Sequence, residues 1–240
     1  MGGPSRLTGL TVPLPSNTSG GALLPNSFAA GLGYTTPRFS GFNVHLFSTF
    51  GQNLTGAPFN DGGQQDIALV YNNGTFGAVL DRNSWRTKVA ATATGVFPST
   101  VIASKTTTAG VNYTAGPMRL VGSWFKQTYD PTLAATMHDL SAWGVGGNYY
   151  FGAIRYGVAY TAMKDDIVSA NKGSMLSVMA DYQLSKRTDI YAILPYVRNK
   201  GAASLQGLWG GNTLNLTPGS SLNAQGGSST SLALGMRVSF

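Results

Sequence analysis

From position 173 to 198 the chain reads GSMLSVMADYQLSKRTDIYAILPYVR, and its apolar residues fall on every second position in two successive runs. In the first run Leu176, Val178, Ala180, Tyr182 and Leu184 alternate with Ser177, Met179, Asp181 and Gln183. In the second, Ile190, Ala192, Leu194 and Tyr196 alternate with Asp189, Tyr191, Ile193 and Pro195. A period of two puts each set on one face of a strand. The stretch therefore predicts a hairpin with one apolar face and one mixed face that carries two carboxylates. Two kinds of fold can use it. A soluble sandwich buries the apolar face, whereas a membrane barrel turns it to lipid and wets the mixed face.

Charge separates the two. Only 10% of the 240 residues are charged, against roughly 25% in soluble domains. All nine acidic residues are aspartates, glycine contributes 32 residues, and no long segment keeps a 3.6-residue apolar period. Mean hydropathy is zero, and no apolar run approaches the roughly 18 residues of a membrane-crossing helix. Few charges, many glycines and no long apolar run fit an all-β transmembrane barrel, whose wet and lipid faces cancel in any average. Cysteine is absent, which excludes disulfides and thiolate metal sites. The net charge of +7 comes from dispersed basic residues without interleaved aromatics, and this argues against nucleic acid as a partner. The opening MGGPSRLTGL has neither the charged nor the apolar region of a secretory signal.

Read in order, residues 1–26 are loop-like, rich in Gly, Pro, Ser, Thr and Asn. Strands are expected at 26–35, 41–51, 65–72, 75–83, 105–115, 118–127, 140–150 and 153–163, then the two of the hairpin, and last 229–240. The turn Asn73-Gly74 is a strong hairpin signal because both residues tolerate positive φ. A long loop is expected at 84–104, with a short helix around 89–96. Short turns near 38, 73, 116, 151 and 185 alternate with long loops near 58, 94, 133, 168 and 213. An antiparallel up-and-down barrel with short periplasmic turns and longer outer loops produces that alternation, and a Greek-key sandwich has no reason to. The last strand alternates Leu232, Leu234, Met236, Val238 and Phe240 with small and polar residues.

Several segments together resemble the trimeric general porins of Gram-negative bacteria, in particular their beta-proteobacterial branch. They are MADYQLSKRTDIYA, NYTAGPMRLVGSWF, NYYFGAIRYGVAY, the early NSFAAGLGYTTPRFSGFNVHLF and the ending ALGMRVSF. The resemblance implies a barrel of about 16 strands, a third outer loop folded inward as a constriction, a homotrimer, and recognition of Phe240 by the outer-membrane insertion machinery. Residues 27–240 hold 11 expected strands. An odd number cannot close an up-and-down barrel with both ends on one side, and an open edge in lipid would leave unpaired N–H and C=O groups. The expectation is therefore an N-terminally truncated porin, with residues 1–26, Arg6 among them, belonging to the constriction loop.

A channel works by width and by fixed charge facing water. Strand parity sets Arg119, Arg155 and Arg237 opposite the apolar Leu120, Ile154 and Val238, near the periplasmic ends, with Asp181 and Asp189 at similar depth. Lys126 is added as a pore-lining candidate nearer the outside. These arginines either draw small anions or pair with the two aspartates, and the sequence leaves both open. Tyr149, Phe151, Tyr182 and Phe240 are expected in an aromatic girdle at the headgroup level. His45 and His138 lack the further ligands that a metal site needs. No nucleophile, base and orienting group come together, which argues against an enzyme. The expectation is an outer-membrane channel for passive diffusion of small hydrophilic solutes, with a mild anion preference and no cofactor. The alternatives are a non-conducting structural or adhesive barrel and a soluble β-sandwich.

Overall fold

The computed structural model describes residues 31–49, 63–89, 100–130, 138–203 and 226–238. Their regular elements are β1 Gly31–Thr35, β2 Phe42–Thr49, β3 Gln64–Asn72, β4 Phe76–Val89, β5 Thr100–Ala115, β6 Met118–Tyr129, β7 Leu140–Phe151, β8 Ile154–Asp165, β9 Lys172–Ser185, β10 Thr188–Lys200, β11 Ser228–Thr230 and β12 Ala233–Val238. All 12 lie in one antiparallel sheet, each beside its sequence neighbours as far as β10. Both β11 and β12 then pair with β10. This is the meander of an up-and-down barrel wall, the architecture that the loop pattern predicts. No helix among the described residues is long and apolar enough to cross a membrane.

Tight turns set the register at one end of the sheet. Between β1 and β2, Ser40 and Gly41 have φ of 49° and 88°, the pair of positive values that a two-residue hairpin turn with the right twist needs. At Asn73-Gly74 only the glycine is left-handed, at 91°. Asn73 uses its side chain instead, its Oδ1 accepting from the N–H groups of Thr75 and Phe76 at 3.1 and 2.7 Å.

The two faces are inverted relative to a soluble protein. Side chains on one face are sheltered, and many are polar: Asn43, Asp81, Asn83, Thr108, Ser123, Gln127, Asn148 and Asp181 are all buried. We call this face inward. The other carries the large apolar residues into the open, with Leu234 73% exposed where Asp81 is 4% exposed. Phe42, Tyr71, Phe76, Tyr113, Tyr149, Phe151, Tyr156 and Tyr182 stand on it at the short-turn end. An apolar face so continuous suits the hydrocarbon of a bilayer, with rings at the headgroup level. At the long-loop end of the inward face Phe125, Leu140, Ala142, Met163, Met175, Val197 and Ala203 are buried together in an apolar patch.

Two of the strands, β4 and β5, are much longer than the sequence predicts. β4 runs to Val89 and β5 starts at Thr100, so the loop expected at 84–104 is mostly ladder, and Val89, where the helix was expected to begin, is strand. The single last strand becomes two, because the chain leaves the ladder at Ser231 and Leu232 and rejoins β10 two residues on. The expected constriction loop with Arg6, and the terminal Phe240, lie outside the described residues.

Candidate functional site

The inward wall gathers charge at two heights. At the short-turn end, β8, β9, β10 and β12 bring together four charged residues. Register sets Arg155 across from Asp181 and Asp189 across from Arg237. Arg155 Nη2 donates to Asp181 Oδ2 at 2.6 Å. Arg237 grips Asp189 with both prongs, Nε to Oδ1 at 2.9 Å and Nη2 to Oδ2 at 2.6 Å. The same Nη2 lies 3.5 Å from Asp181 Oδ2, so the four groups form one chain, Arg155–Asp181–Arg237–Asp189, with balanced charge. Bidentate guanidinium–carboxylate geometry is the strong form of such a bond. Space for it depends on Gly235: a Cβ there would meet the hydroxyl of Tyr191 at 2.4 Å, and Tyr191 stands between Asp181 and Gly235 in register.

Of the residues predicted for the wall, Arg155, Arg237, Asp181 and Asp189 are thus in one network. Arg119 is half-buried on the same face, across from Thr114 and Asn148. Lys126 departs from the expectation. It shares the outward face with Leu120 and Trp124, six and two residues before it, because an even step along a strand keeps the face. Tyr149, Phe151 and Tyr182 lie outward at the short-turn end.

The second height carries residues that the sequence reading passed over. Asp66 on β3 and Asp81 on β4 are diagonal neighbours on the inward face, since Asp66 pairs with Asn83 and Asp81 with Ala68. Asn83 Nδ2 donates to Asp66 Oδ2 at 3.2 Å. Neither carboxylate meets a basic group among the described residues. Asp81 stands five residues beyond Phe76, about 12 Å up the wall at roughly 2.5 Å of climb per tilted residue. The signal was present in the sequence, because Asp81 alternates with Leu80 and Arg82 as Asp181 alternates with Ala180 and Tyr182.

The histidines take polar roles. His45 Nε2 lies 2.8 Å from Asn43 Nδ2, and Nδ1 lies 2.9 Å from Thr35 Oγ1. His138 bonds through Nδ1 to Asp165 at the long-loop end. Asp165 is the last residue of β8 and lies past the apolar band. It also accepts from the N–H groups of Ile167 and Val168 at 2.8 and 2.9 Å and from Asn171 Nδ2 at 3.1 Å. Burial pushes its carboxyl upward, but the bonds from Val168, His138, Ile167 and Asn171 outweigh this and hold it below the usual carboxylate range.

Comparison with known proteins follows the same line. The family model described as "Gram-negative porin" matches residues 6–202. No curated protein matches the sequence. Among solved structures, the trimer form of OmpT, an outer membrane protein of Vibrio cholerae folded in vitro, is similar with a TM-score of 0.62 at 14% identity, over 91% of this chain and 67% of that one. OmpT of Vibrio cholerae expressed in the outer membrane gives 0.61 at 13%, over 87% and 64%. OmpF of Salmonella typhi in complex with daunomycin gives 0.56 at 10%, over 86% and 61%. At such identities the likeness concerns the fold. The chain spans between 61% and 67% of the length of these three structures.

Proposed function

The chain belongs to the Gram-negative porin family, a family of outer-membrane channels and not of enzymes, and from that premise we propose that it acts as a channel for passive diffusion of small hydrophilic solutes and ions. One observation carries the reading. A sheet with its polar and charged residues sheltered on one face and its apolar residues exposed on the other suits a wall between water and lipid. Assembly as a homotrimer and recognition of the terminal Phe240 by the insertion machinery belong to the same proposal. The trimer form of Vibrio cholerae OmpT supports the first.

Ion preference is the finer part. A mild anion preference was expected from Arg119, Arg155 and Arg237. Two of the three are matched by Asp181 and Asp189, which leaves that part of the wall close to neutral. Asp66 and Asp81 stand at mid-height without basic partners among the described residues. Neighbouring carboxyls hold a proton between them, so the pair carries one negative charge, and that charge, without a basic partner among the described residues, favours cations at mid-height. Single-channel conductance in a planar bilayer, on this chain and on a version extended upstream in the reading frame, with the reversal potential read in a KCl gradient, tests both parts. The expected result is discrete steps with a cation-directed reversal that moves toward anions in the Asp66→Asn/Asp81→Asn double variant. An anion-directed reversal in the parent chain, unmoved by the double variant, would overturn the charge reading.

The buried apolar patch at the long-loop end of the inward face favours a second reading, a structural barrel with a closed mouth. This chain and a version extended upstream in the reading frame, both inserting into the bilayer and neither passing current, would favour it.

A further inference from the structure

We infer that Asn73, in the turn between β3 and β4, is a modification site: it loses ammonia to the backbone of Gly74 and becomes aspartate or isoaspartate, and the side chain of Asn72 holds the step back in the folded chain. Asparagine is a thermolabile residue, and Asn73-Gly74 is the one Asn-Gly pair in the sequence.

Asn72, Asn73, Gly74 and Thr75 are all exposed, so water and a solvent base reach them. The nucleophile is the backbone nitrogen of Gly74. That residue has φ of 91°, and even an added Cβ would meet nothing within 4 Å, so nothing around it hinders ring closure. The electrophile is Cγ of Asn73. Its Oδ1 accepts from the N–H groups of Thr75 and Phe76 at 3.1 and 2.7 Å. Two N–H groups at such distances stabilise the negative charge that gathers on the oxygen when a nucleophile adds to the carbon, as in an oxyanion hole. The turn that holds them is tied down, with Asn73 N–H donating to Phe76 O at 3.1 Å. One contact opposes the step. Gly74 N–H donates to Asn72 Oδ1 at 2.7 Å. The nitrogen must lose that proton before it attacks, and an acceptor already gripping the proton keeps the solvent base away. Asn72 is itself fixed in place by its pairing with Gly77 and by its N–H, which donates to Gly41 O at 2.9 Å.

The atoms balance with water as the only reagent consumed. A solvent base takes the Gly74 N–H proton and the bond from that nitrogen to Asn73 Cγ forms. The Cγ–Nδ2 bond then breaks, and Nδ2 leaves as ammonia with a proton returned from solvent. One water opens the cyclic imide at either carbonyl. Opening at Cγ restores the ordinary backbone with an aspartate. Opening at the backbone carbonyl of residue 73 leaves the chain running through Cβ and Cγ, which is isoaspartate. Either product puts a carboxylate where a neutral amide stood and lowers the net charge of +7 by one. Aspartate keeps an oxygen for Thr75 and Phe76 and strengthens both bonds. Isoaspartate adds a backbone atom to the short connection between Asn72 and Phe76 and strains the register there.

The experiment holds the full chain at neutral pH, folded in detergent micelles and, separately, unfolded in urea. Aspartate and isoaspartate at position 73 are read by peptide mass and by enzymatic methylation of isoaspartate. Three proteins are compared: the parent, Asn72→Ala, and Asn72→Asp, which keeps an acceptor for Gly74 N–H. The expected result for the folded chains is product at position 73 in the parent, formation at least fivefold faster in Asn72→Ala, and formation no faster than the parent in Asn72→Asp. In urea all three should convert within twofold of one another. No product in the folded parent after ten half-times of the unfolded chain would overturn the inference, as would equal folded rates in the parent and Asn72→Ala. Equal acceleration of both variants would also refute it, because the turn would then be merely loosened. So would the same differences in urea, because Asn72 would then act through sequence alone.

Discussion

Arg237 takes two aspartates at once, and that choice converts three basic residues of the inward wall into one balanced network and Arg119. Parity along a strand decides which face a side chain takes, and this was legible for Arg119, Arg155, Arg237, Asp181 and Asp189. Whether an arginine faces water alone or grips a carboxylate depends on register between strands, which a single sequence does not state. The same parity, applied to every charge, would have found Asp66 and Asp81 and removed Lys126. Asp181→Asn should shift the reversal potential toward anions, since it removes a negative charge and leaves Arg155 without its carboxylate. The stability cost should be about 1.5–3 kcal/mol, because Asp181 is buried and its partner Arg155 half-buried, while Arg237 keeps Asp189. Gly235→Val tests the packing beneath the network. A branched side chain would collide with Tyr191 and should cost about 1–3 kcal/mol, read as a lowered thermal unfolding temperature of the detergent-solubilised protein.

Strands were legible where their outward residues are apolar and illegible where those residues turn polar. Where the outward positions are apolar the alternation is clean. Beyond Leu80 on β4 and Ala109 on β5 the outward residues include Arg82, Lys105 and Thr107, and Arg82 Nη1 donates to Thr107 Oγ1 across the ladder at 2.8 Å. Those residues are as polar as the inward ones, the period of two vanishes from the sequence, and the ladder continues unseen. The β8–β9 connection has its own organising group in Asp165, whose carboxylate gathers bonds from Ile167, Val168, Asn171 and His138. Because its folded pKa is held below the ordinary value, the stability it contributes is complete above the unfolded pKa of about 3.9 and is lost as pH falls through the lower, folded value. Amide protection at Ile167 and Val168 should therefore hold from neutral pH down to about 4 and collapse below it. In Asp165→Asn it should be weakened at every pH, by about tenfold for each lost charge-assisted bond. Unchanged protection in that variant would remove the carboxylate from the account.

At the scale of the whole molecule, the inverted faces set how the protein behaves outside a membrane. Removing detergent from the folded protein should precipitate it, whereas a soluble sandwich with the same alternation would stay in solution. The sheet's meander was readable from loop lengths and alternation, and the family from the resemblance of segments such as MADYQLSKRTDIYA. Depth was not, because rows across the ladder do not lie level. One row runs Leu46, Ile67, Arg82, Thr107, Lys126, Ser141, Lys164, Lys172 and Lys200. It begins four residues beyond Phe42, the start of β2, and reaches a point ten residues beyond Ile154, the start of β8. The row is a ramp, and each strand keeps its own measure of distance from the turn where it starts. Deleting two residues between Gly152 and Lys164 would leave every later side chain on its proper face and still sink that lysine by about 5 Å toward hydrocarbon. The same deletion beyond Lys164 would leave its waterline where it was.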